Sequence, residues 1–230
     1  MPFIFLQDPY RWGKLAYALR ERLGRMLRHR IFKAIEQGHD EAAMRLASTS
    51  VLARARGEWG ATPLVAAIKA GRPALVRVFI ERGGVQDRDG ALAHAAMKGD
   101  LAAVELLLAA GKNPDEPLRS LGAPHGSYTP LMWAVNRKHV AIARALLAAG
   151  ANVNAVAQDG STALMFASDG DPASLEALDV LCSYRADITK ADARGRNIIR
   201  EARDRERFSG KPQMRSVLER HYPGIDVESA

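Results

Sequence analysis

Apolar residues recur along the chain at the spacing of short amphipathic helices, and these helices come in pairs. One pair runs from Thr62 to Gly83, with a short apolar stretch up to Gly71 and then a longer stripe at helical spacing. The stripe consists of Leu75, Val76, Val78, Phe79 and Ile80. Gly71 and Gly83 mark the helix ends, because glycine accepts the left-handed backbone required there. The pattern predicts an antiparallel helical hairpin.

The hairpin pattern recurs, and several copies begin with the tripeptide Thr-Pro-Leu or its variant Thr-Ala-Leu. The copies are Thr62-Pro63-Leu64, Thr129-Pro130-Leu131 and Thr162-Ala163-Leu164, and the last two start 33 residues apart. Threonine can cap a helix with its side-chain oxygen, and proline suits the first helical position because its missing N–H is not needed there. A period of this length indicates stacked repeats, which bury their apolar faces only against one another.

The tripeptide, the period and the helix exit Gly150-Ala151-Asn152-Val153-Asn154 resemble the ankyrin-repeat family. The resemblance covers roughly residues 30–222 and implies an all-α ankyrin-repeat solenoid of helix-turn-helix units joined by short finger loops. We expect a basic amphipathic helix at 1–30, a solenoid at 31–222 with four clear repeats plus atypical N- and C-terminal caps, and a tail at 223–230.

Three departures from the repeat pattern predict local irregularities. The second unit lacks the Thr-Pro pair, which indicates a shortened finger at residues 87–90. The stretch from Gly111 to Thr129 is 18 residues long against 12 in the next unit, which predicts a long finger loop. The fourth unit is two residues longer, and we expect Asp169 and Asp171 to shape its widened turn rather than to act as paired catalytic carboxylates.

Composition and charge indicate the cellular compartment of the protein, the state of its cysteine and the distribution of its charge. No apolar run approaches the ~20 residues of a membrane span, and no secretion signal is recognised, so the sequence predicts a cytoplasmic protein. The only cysteine, Cys182, lies on an apolar helical stripe, which predicts a buried reduced thiol. The net charge is +7, and both chain ends are basic: residues 1–35 hold eight basic and two acidic side chains, whereas residues 36–193 hold 16 and 18.

The basic N-terminal segment has an apolar face that includes Leu15, Leu19, Leu23 and Leu27. One interpretation is that this face covers the open end of the solenoid, since end repeats need a cap. A second is peripheral membrane contact through residues 10–30, and a third is an arm that binds an acidic partner.

Signatures of catalysis and of ligand binding do not occur in the sequence. It contains no phosphate-binding glycine loop, no metal-ligand spacing of histidine or cysteine, and no nucleophile motif. We therefore expect no catalytic residues, no metal site, no cofactor and no small-molecule substrate. The family resemblance likewise implies a non-catalytic protein that binds another protein.

In the ankyrin family, finger residues and the last residues of each first helix face a concave groove. The corresponding partner-binding candidates are Trp59, Lys69, Lys98, His125, Tyr128, Arg137, Asp159 and Arg194. The basic members Lys69, Lys98 and Arg137 indicate a partner with an acidic surface patch. Trp59 and Tyr128 are expected to be exposed aromatic anchors. Trp133 and Phe166 occupy inward positions and are expected in the core.

These patterns favour a protein–protein interaction module that binds a specific partner through its concave face. Its sharpest form is an inhibitor, such as a toxin-neutralising immunity protein, and the alanine- and arginine-rich composition is compatible with a bacterial source. One alternative is a membrane-surface adaptor that uses the N-terminal helix. A nucleic-acid-binding protein is the other alternative, and it ranks last because the basic residues lie at the two ends of the chain.

Overall fold

The structure is a computed structural model that describes residues 26–118, 127–210 and 212–227, without the Trp59 side chain. The described residues form helices and turns and contain no β-strand. The chain divides into two compact units, Met1–Gly84 and Val85–Ala230, which we call unit 1 and unit 2.

Unit 1 contains helical hairpins and one additional short helix. Its helices are α1 over residues 26–36, α2 (Asp40–Leu46), α3 (Thr49–Arg54), α4 (Pro63–Lys69) and α5 (Pro73–Glu81), with a 3-10 turn at Glu58–Gly60. Helix α5 packs against both α4 and α2. The largest fully buried side chains of unit 1 are Ile31, Ile35, Leu52, Leu64, Ile68, Leu75 and Phe79.

Unit 2 continues the same plan. Its helices are α6 (Ala91–Lys98), α7 (Leu101–Ala109), α8 (Pro130–Asn136), α9 (Val140–Ala148), α10 (Pro172–Ser183), α11 (Ile198–Ser209) and α12 (Gln213–His221), with a 3-10 helix at Ala163–Ala167. The first helices of successive hairpins contact one another, from α6 through α8 to the 3-10 helix. The second helices do the same, from α7 through α9 and α10 to α12. The inner hairpins of unit 2 are therefore packed between the hairpins before and after them.

The predicted threonine caps are present in two repeats. The Thr62 hydroxyl oxygen accepts a hydrogen bond from the backbone N–H of Val65 at 3.2 Å, and Thr129 accepts one from Met132 at 3.3 Å. Proline occupies the first turn of α4 and of α8, as the sequence predicts. These local interactions define where both helices begin.

The fourth repeat departs from this plan at its first helix. Thr162 makes no side-chain cap hydrogen bond, alanine follows it instead of proline, and the segment folds as a 3-10 helix. Asp171 caps the following helix by accepting from the backbone N–H groups of Ala173 and Ser174. The prediction that this residue shapes the widened turn is confirmed.

A buried charge cluster supports the shortened finger of the second repeat. The Lys112 ammonium donates to Asp89 at 3.0 Å, to Glu116 at 2.9 Å and to the carbonyl of Gln86 at 2.6 Å. The side chains of Lys112, Asp89 and Glu116 are only 2%, 4% and 10% exposed. The same Glu116 carboxylate accepts from the N–H of Gly90, which has a φ of +71°. The cluster thus ties the finger to the segment after α7.

The ordinary effect of burial on a lysine is reversed in this cluster. Burial alone would lower the pKa of Lys112, but the hydrogen bond to Glu116 and the charge of Asp89 outweigh it, so its pKa is raised. Sequence patterns did not reveal the cluster, because Asp89 and Gln86 lie 23 and 26 residues before Lys112 in the chain.

The hairpin of α11 and α12 closes the apolar core of unit 2. Ile198 and Ala202 of α11 and Val217 and Leu218 of α12 are buried. The outer faces of α11 and α12 carry ion pairs, for example between Arg215 and the carboxylates of Glu206 and Glu219.

At the other end of the chain, the helix predicted for residues 1–30 lies outside the described residues except at 26–30. The proposed domain boundaries stay predictions.

Candidate functional site

Three cations from the sequence prediction lie at equivalent ends of first helices. Lys69 and Lys98 are the last residues of α4 and α6, and Arg137 follows the last residue of α8. All three side chains are exposed. Within the described part of the chain, none of them forms an ion pair or a side-chain hydrogen bond. Their charges are therefore available to a binding partner.

Tyr128 is not the exposed anchor that the sequence predicts. It is only 7% exposed, and its hydroxyl donates to the Asp159 carboxylate at 2.9 Å. Its ring meets Trp133 and Phe166 edge to face, with ring centroids 5.6 and 5.1 Å apart. Burial, together with the hydrogen bond to Asp159, raises the pKa of Tyr128. The Tyr128 side chain thus packs inside the structure and stabilises the finger of its repeat, rather than contacting solvent.

The core assignment of Trp133 and Phe166 also needs correction, because both side chains are half-buried.

Asp159, a predicted contact residue, accepts hydrogen bonds from the Tyr128 hydroxyl and from the backbone N–H of Ser161. Burial alone would raise the pKa of Asp159, but these hydrogen bonds outweigh it and lower the pKa. Aromatic packing and one part-buried hydrogen bond therefore join two successive fingers.

Phe166 forms part of a cleft of about 210 Å³ in unit 2. Other lining residues are Asn136, Asp169, Asp192, Arg196 and Glu201. The Arg196 guanidinium donates to the Asp192 carboxylate through two nitrogens, at 2.9 and 2.7 Å. Asp192 also accepts from the backbone N–H of Arg194, whose side chain is exposed as predicted for a contact residue. This finger is thus held by its own aspartate.

The turn beside this cleft is fixed by a lysine between two carboxylates. Lys138 forms ion pairs with Asp169, at 3.2 Å, and with Asp171. The hydrogen bond from Lys138, together with that from the Ser174 backbone, holds the pKa of Asp171 well below its usual range. Asp169 and Asp171 therefore stabilise the turn through their ion pairs with Lys138.

A larger cleft, of about 950 Å³, lies in unit 1 between α1, the segment 56–61 and the end of α4. Four cations line it, Arg28, Lys33, Arg56 and Lys69. Sequence reasoning placed Lys69 in the concave surface and Arg28 in the basic N-terminal segment, and it assigned no binding role to Lys33 and Arg56. The signal that was available is the excess of basic residues in the first 35 positions.

Two predicted contact residues lie outside what the structure describes. His125 falls in the gap at 119–126, and the Trp59 side chain is not described. Both stay predictions. Cys182 is buried as predicted, and burial raises the pKa of its thiol to about 12.

Clusters of histidine, cysteine or carboxylate that could hold a metal ion do not occur among the described residues. None of the described helices combines the length and the apolar character that crossing a membrane requires.

Comparison with known proteins assigns the family. The family model described as ankyrin repeats (3 copies) matches residues 31–117 and 92–192, which together exceed half of the chain. The chain belongs to the ankyrin-repeat family, and the prediction of an all-α ankyrin-repeat fold is confirmed. Ankyrin repeats are protein–protein interaction modules, and the family generally acts as a non-catalytic binding scaffold.

Solved structures agree with the fold. An ankyrin repeat domain from Acinetobacter baumannii has a TM-score of 0.67 and 24% identity, over 84% of this chain and 97% of that chain. The ankyrin repeat protein EF0377 has a TM-score of 0.68 and 20% identity, over 82% of this chain and 95% of that chain. No curated protein shows significant sequence similarity to the chain.

Proposed function

We propose that the chain binds one specific partner protein, without catalysis, through the ends of its first helices and the neighbouring fingers. The observation that carries the proposal is the recurrence of exposed cations at Lys69, Lys98 and Arg137, which form no ion pair among the described residues. Each follows a buried apolar residue one or two positions earlier, namely Ile68, Ala96 and Val135. A cation at a helix C-terminus stabilises the helix by only about 0.3–1 kcal/mol, so these side chains remain available for a partner.

The partner that suits these positions carries an acidic surface patch, since opposite charges steer association and fix the register of a complex. Arg194 adds an exposed cation on a later finger, and Trp59 and His125 are further contact candidates from the sequence. We assign Tyr128 and Asp159 a structural role in the fingers rather than a contact role, because the Tyr128 hydroxyl donates to the Asp159 carboxylate.

Masking part of a partner's surface is the simplest effect of such a module. We therefore extend the proposal to an inhibitor, of which a bacterial toxin-neutralising immunity protein is the sharpest form. The same surface could serve an adaptor. The cytoplasm is the compartment we propose, because a protein with a single buried thiol needs no oxidising environment.

The experiment is affinity capture from the native cytosol on the immobilised full chain, followed by binding measurements on each captured protein. The test variant is Lys98→Glu with Arg137→Glu. The matched control is Arg77→Glu with Arg144→Glu, which changes the net charge equally at exposed positions of second helices. We expect the test variant to slow association, more so at low salt, and the control to bind like wild type.

A partner bound equally by both variants would refute the proposed surface. Retention of anionic vesicles or of nucleic acid, in place of any protein, would instead favour the membrane or nucleic-acid alternative.

A further inference from the structure

The cleft of unit 1 falls within the range of ligand-binding pockets, about 300–1,000 Å³. Its volume is about 950 Å³, and its walls come from α1, from the segment 56–61 and from the end of α4. The wall at 56–61 approaches α1 closely at Gly57, where an added Cβ would lie 2.9 Å from the ring of Phe32. Glycine at this position therefore allows the two walls to meet beside an aromatic side chain.

The cleft is positively charged. Four cations line it, against two anions, Glu36 and Glu58. Lys33 and Lys69 are exposed, and within the described ranges neither forms an ion pair. Unit 1 as a whole holds 15 basic and 7 acidic side chains, whereas unit 2 holds 18 and 19. The positive charge of the protein is thus concentrated in the unit that contains this cleft.

The lining of the cleft is also partly apolar. Phe32 is half-buried, and Ile35, Ala61, Ala66 and Ala70 lie along the same walls. A ligand that fills such a site combines anionic groups with apolar ones. Aspartate- and glutamate-rich segments of proteins that contain an occasional large apolar residue have this chemistry.

We propose that the unit 1 cleft binds an acidic segment of a partner protein, with carboxylates at Lys33 and Lys69 and an apolar side chain against Phe32. This inference rests on the proposed protein-binding function and adds a site for one part of the partner. The chain's own residues 1–25 hold five basic and two acidic side chains, so their charge has the same sign as the cleft. Charge complementarity therefore favours a segment from another protein.

The experiment uses the full chain and a fluorescein-labelled peptide of about twelve residues, in which aspartate and glutamate flank two leucines. Binding is followed by fluorescence anisotropy at low and at high salt. The test variant is Lys33→Glu with Lys69→Glu, and Lys33→Gln with Lys69→Gln removes the charges without reversing them. Arg144→Glu with Arg185→Glu in unit 2 is the matched control, because it changes the net charge of the chain equally at exposed positions in or directly after second helices, away from the proposed contact cations. Thermal melts verify that all variants fold.

We expect saturable binding that weakens with salt, a loss of about tenfold or more in the Glu variant, and a change below about twofold in the unit 2 control. The Gln variant is expected to lie between the two. Serine in place of the peptide leucines should also weaken binding.

Equal losses in the unit 1 and unit 2 variants would reduce the effect to net charge and overturn the inference. Displacement of the acidic peptide by a peptide of residues 1–25 would overturn it in favour of an internal occupant. Tighter binding of a single-stranded oligonucleotide with the same dependence on Lys33 and Lys69 would overturn it in favour of nucleic acid. If binding of a captured partner requires Lys98 and Arg137 but not Lys33 and Lys69, that result would refute this inference and leave the proposed function intact.

Discussion

Replacing Lys112 by methionine tests the buried charge cluster of the shortened finger. Methionine keeps the length and the aliphatic part of the side chain, so the main change is loss of the ammonium group and of its hydrogen bonds to Asp89, Glu116 and the Gln86 carbonyl. The two carboxylates, only 4% and 10% exposed, then lose the Lys112 cation that lies beside them.

Breaking a buried ion pair in this way costs about 3–5 kcal/mol of the free energy of unfolding, because an uncompensated charge stays in a poorly solvated site. An exposed pair would contribute only about 0–1 kcal/mol. Because the side chains of Lys112, Asp89 and Glu116 are all at most 10% exposed, we expect the larger cost, that of a buried ion pair. The cost is a large fraction of the roughly 5–15 kcal/mol that stabilises a typical domain.

Cys182 provides an assay specific to unit 2, because its buried thiol reacts only when that unit opens. Each loss of about 1.4 kcal/mol raises the open population tenfold, so Lys112→Met should speed native-state thiol labelling by more than about 100-fold. The midpoint of urea unfolding, followed by circular dichroism, should fall in parallel.

The control is the triple variant Lys112→Met, Asp89→Asn and Glu116→Gln, which leaves no buried charge and keeps the oxygens that accept from Ala91 and Gly90. It should recover much of the lost stability. A cost below about 1 kcal/mol for Lys112→Met, with no gain in the triple variant, would refute the reasoning.

The same cluster predicts a dependence on alkaline pH. The folded-state pKa of Lys112 is raised above its ordinary value of 10.5. The stabilisation is therefore fully present below that value and is lost as the pH rises through the folded-state pKa. The part of the alkaline loss that comes from Lys112 should be missing from the unfolding curves of Lys112→Met, whereas the parts from Cys182 and Tyr128, whose pKa values are also raised, should remain.

Three further predictions concern other single positions. Tyr128→Phe, which removes the hydrogen bond to Asp159 but keeps the ring, should cost about 1–2 kcal/mol in urea unfolding, and no loss would show that the bond is not formed in solution. Thr129→Val should cost about 1 kcal/mol through loss of the α8 cap, whereas Thr162→Val should cost less because Thr162 makes no cap bond; equal thermal shifts would contradict this. In wild type, Cys182, with a pKa of about 12, should react slowly with thiol reagents when native and fast when denatured, and equal rates would place it outside the core.

The sequence alone determined the repeat architecture and the starts of α4 and α8, because the signals are local. The caps at Thr62 and Thr129 and the prolines that follow act within a single turn of helix, so their pattern is readable without a partner segment. Hairpin stacking then follows from the apolar stripes, since a hairpin can bury its stripe only against another. The sequence also placed Cys182 in the core on this basis.

The exposed cations of the candidate site were predictable for the same reason. Lys69, Lys98 and Arg137 recur at one position of the repeat, and the family geometry implies that this position faces outward. The sequence could not show that all three make no ion pair within the described residues, because that depends on which carboxylates packing brings near.

Tertiary structure alone decided the environment of Tyr128, the Lys112 cluster and the unit 1 cleft. Tyr128 is buried because Asp159 and Phe166 come from the next repeat, 31 and 38 residues later in the chain. The cleft exists because α1, the segment 56–61 and α4 converge in space. Each of these features joins groups that are distant in sequence, and periodicity carries no information about such pairings.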